Sequence, residues 1–140
     1  MPEGYVLPKT YENVHLQALR FSSRRQLALY LNLEGTIVDS VGILNDFHGL
    51  AELIGFEYLE IRNFANQKSP TEELLEKWTE TEHLRPTVGA LWQHLVTLER
   101  VDILTDVWTF LSKNLLYYNK LMQKLQVNEI RYSLYNVHVA

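Results

Sequence analysis

Apolar residues along the chain recur at helical spacing and predict six short amphipathic helices within residues 22–111. The first predicted helix follows two serines that can serve as N-caps, and it stops before a glycine. Its marker residues are Ser22, Ser23, Leu27, Tyr30, Leu31 and Gly35. Residues 35–45 mix β-branched residues with glycine and aspartate, so we interpret them as a long loop.

The second and third predicted helices lie on either side of a glycine. Asp46 is the predicted N-cap of the second helix, and Gly55 lies where a left-handed C-cap is needed. The apolar face of the second helix consists of Phe47, Leu50, Ala51 and Ile54. The third helix is predicted to keep one face of Tyr58, Ile61, Phe64 and Ala65, with Glu60 and Asn63 opposite and Arg62 on the flank.

The fourth predicted helix has the clearest start signal. Ser69 is a capping-box serine, Pro70 stands at the first helical position, and Glu72 follows three residues after the cap. Its apolar stripe is Leu74, Leu75 and Trp78. Thr87 is the predicted cap of the fifth helix, whose stripe is Val88, Leu91, Trp92, Leu95 and Leu98.

The sixth helix is predicted to start at Asp102. Its apolar face is Ile103, Leu104, Val107, Trp108 and Leu111. Because no glycine or proline follows Gly89, the same face can continue through Leu115, Tyr118, Met122 and Leu125. Residues 130–140 are predicted to be frayed or weakly strand-like.

Helices of about 8 to 13 residues do not persist alone in water, so each must bury its stripe against the others. We therefore expect an all-α fold, a six-helix antiparallel bundle whose last helix can be extended. Residues 1–15 are expected to form a flexible N-terminal arm and residues 16–111 the folded domain. Residues 112–140 are expected to form a helical extension with a frayed C-terminal tail.

The composition limits the classes of partner. A net charge of −4 and only one small basic cluster, Arg20, Arg24 and Arg25, argue against nucleic-acid binding. The chain has no cysteine, no apolar leader after Met1 and no apolar run long enough to enter a bilayer. We expect a cytoplasmic protein without membrane insertion.

The sequence carries no motif for catalysis, cofactor binding or metal binding. The five histidines lack a paired-ligand spacing, and His83 after Glu80 and Glu82 fits a solvated turn better than a metal site. Trp78, Trp92 and Trp108 lie on apolar stripes, so they are expected to pack in the core. We therefore expect no catalytic residue, no cofactor and no metal, and the chain is not predicted to be an enzyme.

Charges of both signs near the predicted helix ends suit contacts with another protein. They are Glu52, Glu57, Glu60, Arg62, Glu99, Arg100 and Asp102. The alternative is an ordinary solvated face, which is the more common role of exposed charge.

Three sequence blocks resemble a known family when taken in order: GLAELIGFEYLEIRNF, SPTEELLEKW and TVGALWQHLVTLERVDIL. They are similar to the death domain of the myeloid differentiation primary response adaptors, which link Toll-like and interleukin-1 receptors to kinases. The likeness extends over residues 16–111, and its most specific part is FEYLEIR. It implies a six-helix death domain that self-associates and recruits the death domains of interleukin-1 receptor-associated kinases.

The resemblance also implies which residues make contacts. The expected partner-binding residues are Glu52, Tyr58, Glu60, Arg62, Arg100 and Asp102. The expected supporting core is Phe47, Ile61, Phe64, Trp78 and Leu95, with Phe47 in place of the tryptophan usual in the family.

The resemblance ends before a receptor-binding TIR domain, and residues 112–126 resemble the start of the segment that precedes one. We therefore expect either a fragment or a short regulatory form that tunes or competes with signalling. The alternative from another class is an accessory helical domain that binds one protein partner as a monomer or closed dimer.

Overall fold

Eight α-helices, two 3-10 turns and one β-hairpin follow one another in the computed structural model, which describes residues 6–139. The side chains of Trp108, Phe110 and residues 127–139 lie outside that description. The helices are α1 (Lys9–Glu12), α2 (Phe21–Leu31), α3 (Phe47–Ile54), α4 (Tyr58–Ala65), α5 (Pro70–Thr79), α6 (Val88–Thr97), α7 (Val101–Asp106) and α8 (Trp108–Val139). The strands are β1 (Ile37–Val38) and β2 (Ile43–Leu44), and the 3-10 turns are Leu16–Ala18 and Glu82–Leu84. The predicted all-α bundle is confirmed, with the six predicted helices present as α2 to α7 and α8 as the extension.

Helix α5 lies at the centre of the bundle, where it packs against α2, α3 and α4. Leu74, Leu75 and Trp78 on α5 are completely buried. The Trp78 indole is also satisfied, because its Nε1 donates a hydrogen bond of 2.8 Å to the carbonyl oxygen of Leu84. A tryptophan therefore fills the middle of the core without leaving an unpaired donor.

Both predicted caps of α3 are confirmed. The Asp46 carboxylate accepts a hydrogen bond from the backbone N–H of His48 at 2.9 Å, and Gly55 has a positive φ of 115°. Asp46 is buried and also accepts from the backbone N–H of Gly35 at 3.0 Å. The Asp46 side chain thus links the start of α3 to Gly35, in the segment that follows α2.

The predicted long loop contains a hairpin. Ile37 pairs with Leu44 and Val38 with Ile43 in an antiparallel ladder. The strand β2 then crosses the first turn of α3 at Gly49, where a Cβ would overlap the carbonyl oxygen of Leu44. Because the β-branched residues flank a glycine turn, they form strands where the sequence pattern indicated only a loop.

The predicted N-cap of the first helix is wrong. Helix α2 begins at Phe21, its N-cap is Arg20, and Ser23 is buried inside the first turn. The Asn114 side chain from α8 accepts hydrogen bonds from the Ser23 hydroxyl at 2.5 Å and from the Arg20 N–H at 3.0 Å. Ser23 therefore binds a distant helix and does not cap its own.

The predicted capping box of α5 is also wrong, although Pro70 occupies the first helical position as predicted. The Ser69 hydroxyl accepts a hydrogen bond from the Asn32 amide nitrogen at 3.1 Å. The Asn32 amide oxygen accepts from the Thr71 N–H at 2.8 Å. Asn32, at the C-terminal end of α2, thus caps α5 in place of the predicted cap Ser69.

The N-terminal segment contacts the core from Leu7 onward: Leu7, Tyr11 and Val14 are half-buried against it, whereas Val6 is exposed. The N–H of Val88 donates to the carbonyl oxygen of Val14 at 2.8 Å, and the N–H of Leu16 donates to that of Pro86 at 2.9 Å. Helix α1 contacts α6 at Gly89, where a Cβ would overlap the carbonyl oxygen of Glu12. Residues 1–5 of the expected arm lie outside the described residues, and the domain boundaries stay a prediction.

The predicted sixth helix starts one residue early, at Val101, and is divided at Val107 into α7 and α8. Helix α8 continues to Val139, so the strand-like reading of residues 130–139 is wrong. No glycine or proline interrupts this part of the chain. Ala140 and the side chain of Trp108 lie outside the described part of the chain.

We expect Asn32→Ala to lower the free energy of unfolding by about 1 kcal/mol, because it removes the acceptor for the Thr71 N–H. Ser69→Ala should cost less than about 0.5 kcal/mol, since it removes only the hydrogen bond from the Asn32 amide nitrogen and leaves the acceptor of the Thr71 N–H in place. Urea unfolding of the two variants beside the unchanged protein measures both. A larger loss for Ser69→Ala would contradict the cap assignment.

Burial beside Trp78 lowers the pKa of His94 below its ordinary value of 6.5. The unfolded chain therefore takes up this proton first as the pH falls, so the stability is complete above the ordinary pKa and declines below it. We expect thermal stability to fall as the pH is lowered through the ordinary histidine pKa of 6.5, and to fall less in a His94→Gln variant. Parallel pH profiles for the two proteins would show that His94 does not contribute.

Candidate functional site

The first group of predicted contact residues lies at the corner between α3 and α4. Glu52 is exposed on α3, and Gly55 then turns the chain toward α4. Phe56, just before α4, is buried and meets Phe64 edge to face with ring centroids 5.1 Å apart. This aromatic pair anchors the start of α4 from below, so the residues of its first turn are presented on a fixed surface.

Tyr58 and Leu59 form an exposed apolar pair in the first turn of α4. Each is 72% exposed, while Ile61 and Phe64 on the same helix are buried. The guanidinium carbon of Arg62 lies 5.9 Å from the centroid of the Tyr58 ring, near the outer limit of a cation–π contact. The surface therefore combines an aromatic ring, an aliphatic side chain and a cation.

Tyr58 and Ala65 are exposed, so the predicted apolar face of the third helix is wrong at its two ends. Only Ile61 and Phe64 of that stripe face the core. Leu59 was missed as a candidate contact residue. Its signal in the sequence was an apolar side chain two residues before Ile61, off the core stripe of its helix.

Glu60 stabilises the start of α4. Its Oε1 accepts the N–H of Glu57 at 3.2 Å, which satisfies a donor at the start of α4. Both glutamates are exposed. The carboxylate of Glu60 is thereby held near Tyr58 and Leu59, and it adds negative charge to the same turn.

The second group lies at the turn between α6 and α7. Arg100 Nε and Nη2 donate to the two carboxylate oxygens of Asp102 at 2.9 and 2.8 Å, and Nη1 donates to the carbonyl oxygen of Asn45 at 2.6 Å. The Arg100 side chain is 13% exposed, whereas that of Asp102 is 47% exposed. Asp102 is thus the accessible member, and Arg100 holds it in place.

The electrostatics of this turn follow from the bidentate contact. The hydrogen bonds from Arg100 lower the pKa of Asp102 below its ordinary value of 3.8. Below the turn, Leu95 is completely buried, and its carbonyl oxygen accepts the Arg100 N–H at 3.1 Å. The turn therefore presents a carboxylate on a rigid base.

The two groups lie at opposite ends of α3. Arg100 donates to the carbonyl oxygen of Asn45, which precedes the α3 cap Asp46. Tyr58 follows the turn at the other end of the helix. Eight helical residues span about 12 Å, so the groups can meet one partner together only across a broad surface. The five predicted supporting residues are all buried, namely Phe47, Ile61, Phe64, Trp78 and Leu95.

The described residues contain no group of three or more histidine, aspartate or glutamate side chains that could hold a metal ion. In the same part of the chain, no helix is both long and apolar enough to cross a membrane. What the surface does offer is exposed apolar and charged side chains on short, well-anchored helices. Such a surface suits contact with another protein.

The fold and this surface define a helical protein-interaction domain. Residues 35–111, more than half of the chain, match the family model of the death domain. The chain belongs to the death domain family. Members of this family are interaction modules that bind other death domains, and the matched region covers the hairpin, α3 to α7 and the first residues of α8.

The geometry predicts different roles for two arginines. Arg100→Ala should lower the free energy of unfolding by about 2 kcal/mol, because three charged hydrogen bonds are lost. Arg62→Ala, its control on an exposed face, should change stability by no more than about 0.5 kcal/mol. Urea unfolding measures both, and equal losses would contradict the positioning role of Arg100.

Proposed function

We propose that this protein is a signalling adaptor that assembles with other death domains and recruits those of interleukin-1 receptor-associated kinases. The main supporting observation is the exposed pair Tyr58 and Leu59 beside Arg62 on α4. In this proposal the assembly acts in the cytoplasm, in innate immune signalling from Toll-like and interleukin-1 receptors.

The chemistry of the α4 turn supports a contact role. Tyrosine and arginine are enriched among residues that dominate binding energy, and Leu59 adds apolar area beside them. Two apolar side chains as exposed as these lose much surface to water on docking, which favours association. Glu52 and Glu60 at the rim favour partners of complementary charge.

The sequence of this turn supports the proposed partner. Residues 56–62 read FEYLEIR, the block that resembles the adaptor family most specifically. Phe56 and Ile61 of the block are core, and Tyr58, Glu60 and Arg62 are on the surface. The block thus contains both the anchor and the surface of one proposed site.

Asp102 is the proposed second contact, at the other end of α3. Arg100 acts on a partner mainly through the position it gives to Asp102, since its own donors are engaged. A single exposed ion pair contributes no more than about 1 kcal/mol. Stable assembly therefore requires several such surfaces to be occupied together.

We expect Tyr58→Asp and Leu59→Asp each to raise the concentration for half-assembly at least about tenfold, because a carboxylate replaces an exposed apolar anchor. Leu29→Asp is the matched control, since Leu29 is an exposed leucine on α2. Light scattering of the purified chain over a concentration series, with circular dichroism to verify folding, measures the effect. Equal losses in all three variants would remove the α4 turn from the site.

The same measurement in the presence of a kinase death domain tests the partner. Discrete complexes of many subunits, containing both proteins, are expected. A closed dimer stops growing with concentration, so it would favour an accessory domain with a single partner. A chain that ignores the kinase domain but still self-assembles would overturn the kinase assignment alone.

A further inference from the structure

Helix α8 leaves the bundle after its first turns. Leu111 and Leu115 are buried against the core and Tyr118 is half-buried, whereas residues 121–126 are all exposed. Asn114 fixes the buried part to α2 through Ser23 and the Arg20 N–H. The helix is therefore a rigid arm whose base is bonded to the domain.

One face of this arm is basic and apolar. Lys113, Lys120 and Lys124 recur at intervals of seven and four residues, so they lie on one side of the helix. Leu116 and Tyr117 lie three or four residues from Lys120 and are about half exposed. The Arg20 guanidinium lies 4.7 Å above the Tyr117 ring and adds a fourth cation. We call this surface the basic patch.

No carboxylate accompanies these lysines in the part of the helix that carries them. Residues 107–126 contain three lysines and no aspartate or glutamate, in a chain whose net charge is −4. An exposed surface that joins apolar side chains to charges of one sign fits a partner surface of the other sign.

The opposite charge lies in a groove of about 430 Å³ between α4 and α5. It is lined by four glutamates, one lysine, two amide side chains and Phe64: Glu60, Glu73, Glu76, Glu80, Lys77, Asn63, Gln67 and Phe64. We call this the acidic groove. Its excess of carboxylates is the counterpart of the basic patch.

The charges of the two surfaces also match in spacing. Glu73 on α5 and Glu80 at its C-cap are seven residues apart, and Lys113 and Lys120 are seven apart on α8. Seven residues of helix correspond to about 10 Å, so both lysines can face both glutamates when the helices lie alongside each other.

The lysines of the basic patch and the acidic groove lie on helices that follow one another through the bundle, since α8 packs on α2, α2 on α5, and α5 on α4. Arg20 is the part of the patch that comes nearest to the groove, because it lines a pocket together with Glu76 and Glu80. The lysines themselves are on a helix separate from those of the groove. Because the patch and the groove are different surfaces, a contact between copies is head to tail and leaves each end free to bind again.

We infer that the basic patch of α8 binds the acidic groove of a second copy of this chain, and that this contact extends the assembly from one subunit to the next. The inference rests on the proposed function, because it assigns α8 a part in the same assembly. A self-contact satisfies the charge of both surfaces without another molecule.

The test is a charge exchange between the two surfaces. Lys113→Glu/Lys120→Glu makes the patch acidic, and Glu73→Lys/Glu80→Lys makes the groove basic. Glu60 stays because it caps α4, and Glu76 stays because its charge acts on Arg24. Lys9→Glu/Lys68→Glu is the control, since both lysines are exposed elsewhere and the variant has the same net charge as the altered patch.

Sedimentation velocity at about 0.1 M salt, where charges are screened beyond about 10 Å, measures assembly of each variant and of mixtures. Each of the two surface variants should need about tenfold more protein to assemble, since attractive ion pairs become repulsive. An equimolar mixture of the two should recover wild-type assembly, because each altered surface meets its complement. The Lys9/Lys68 control should behave as the unchanged chain.

Each failure has a distinct meaning. If the patch variant assembles like its control, or the mixture does not recover, the α8 contact is overturned. The proposed function survives that result if Tyr58→Asp or Leu59→Asp still prevents assembly. A wild-type chain that stays monomeric alone and with kinase death domains overturns both. Assembly of the wild type only on anionic lipid vesicles assigns the basic patch to a membrane and overturns the self-contact.

Discussion

The helices of this bundle are short, and their ends are held by side chains from other segments. The first N–H groups and the last carbonyl groups of a helix have no partner within the helix, and a helix of two or three turns is unstable in water on its own. Side chains that bind these groups stabilise it. Asn32 at the end of α2 caps α5, and Asn114 on α8 binds the start of α2. Asp46 links Gly35, in the segment after α2, to the start of α3. Arg100 links the turn between α6 and α7 to Asn45, the residue before Asp46. Several helix ends therefore depend on tertiary structure.

This constraint separates the candidate residues by physical role. Arg100 has its three donor groups engaged and is mostly buried, so its effect on a partner passes through Asp102. Tyr58 and Leu59 are the opposite case, because they are exposed on a helix that Phe56 anchors from below. A substitution at the first kind of residue changes the fold together with the surface. A substitution at the second kind changes the surface alone, and it is the cleaner probe of binding.

Periodic and local features were predictable from the sequence. The apolar stripes of α3, α5 and α6 repeat at helical spacing, and the caps Asp46, Gly55 and Thr87 act within a few residues of where they stand. The caps of α2 and α5 were not predictable, because their acceptors are 94 and 39 residues away from the donors they bind. The charged candidates could be named from the sequence. That Arg100 is enclosed and Leu59 exposed depends on which neighbours the bundle supplies, and no spacing rule contains that information.

The distribution of charge matters more to this chain than its sum. A net charge of −4 alone would make copies repel weakly, yet the lysines after Asp106 are gathered on α8, and Glu60, Glu73, Glu76 and Glu80 line one groove. The lysines of α8 and these glutamates lie on helices that are joined through α2, so most of this opposite charge stays apart within one molecule. Separation of opposite charge on a rigid body favours head-to-tail contacts over symmetric pairs, since a two-fold pair would set like charge against like. The fixed positions of the two charged surfaces therefore favour head-to-tail assembly.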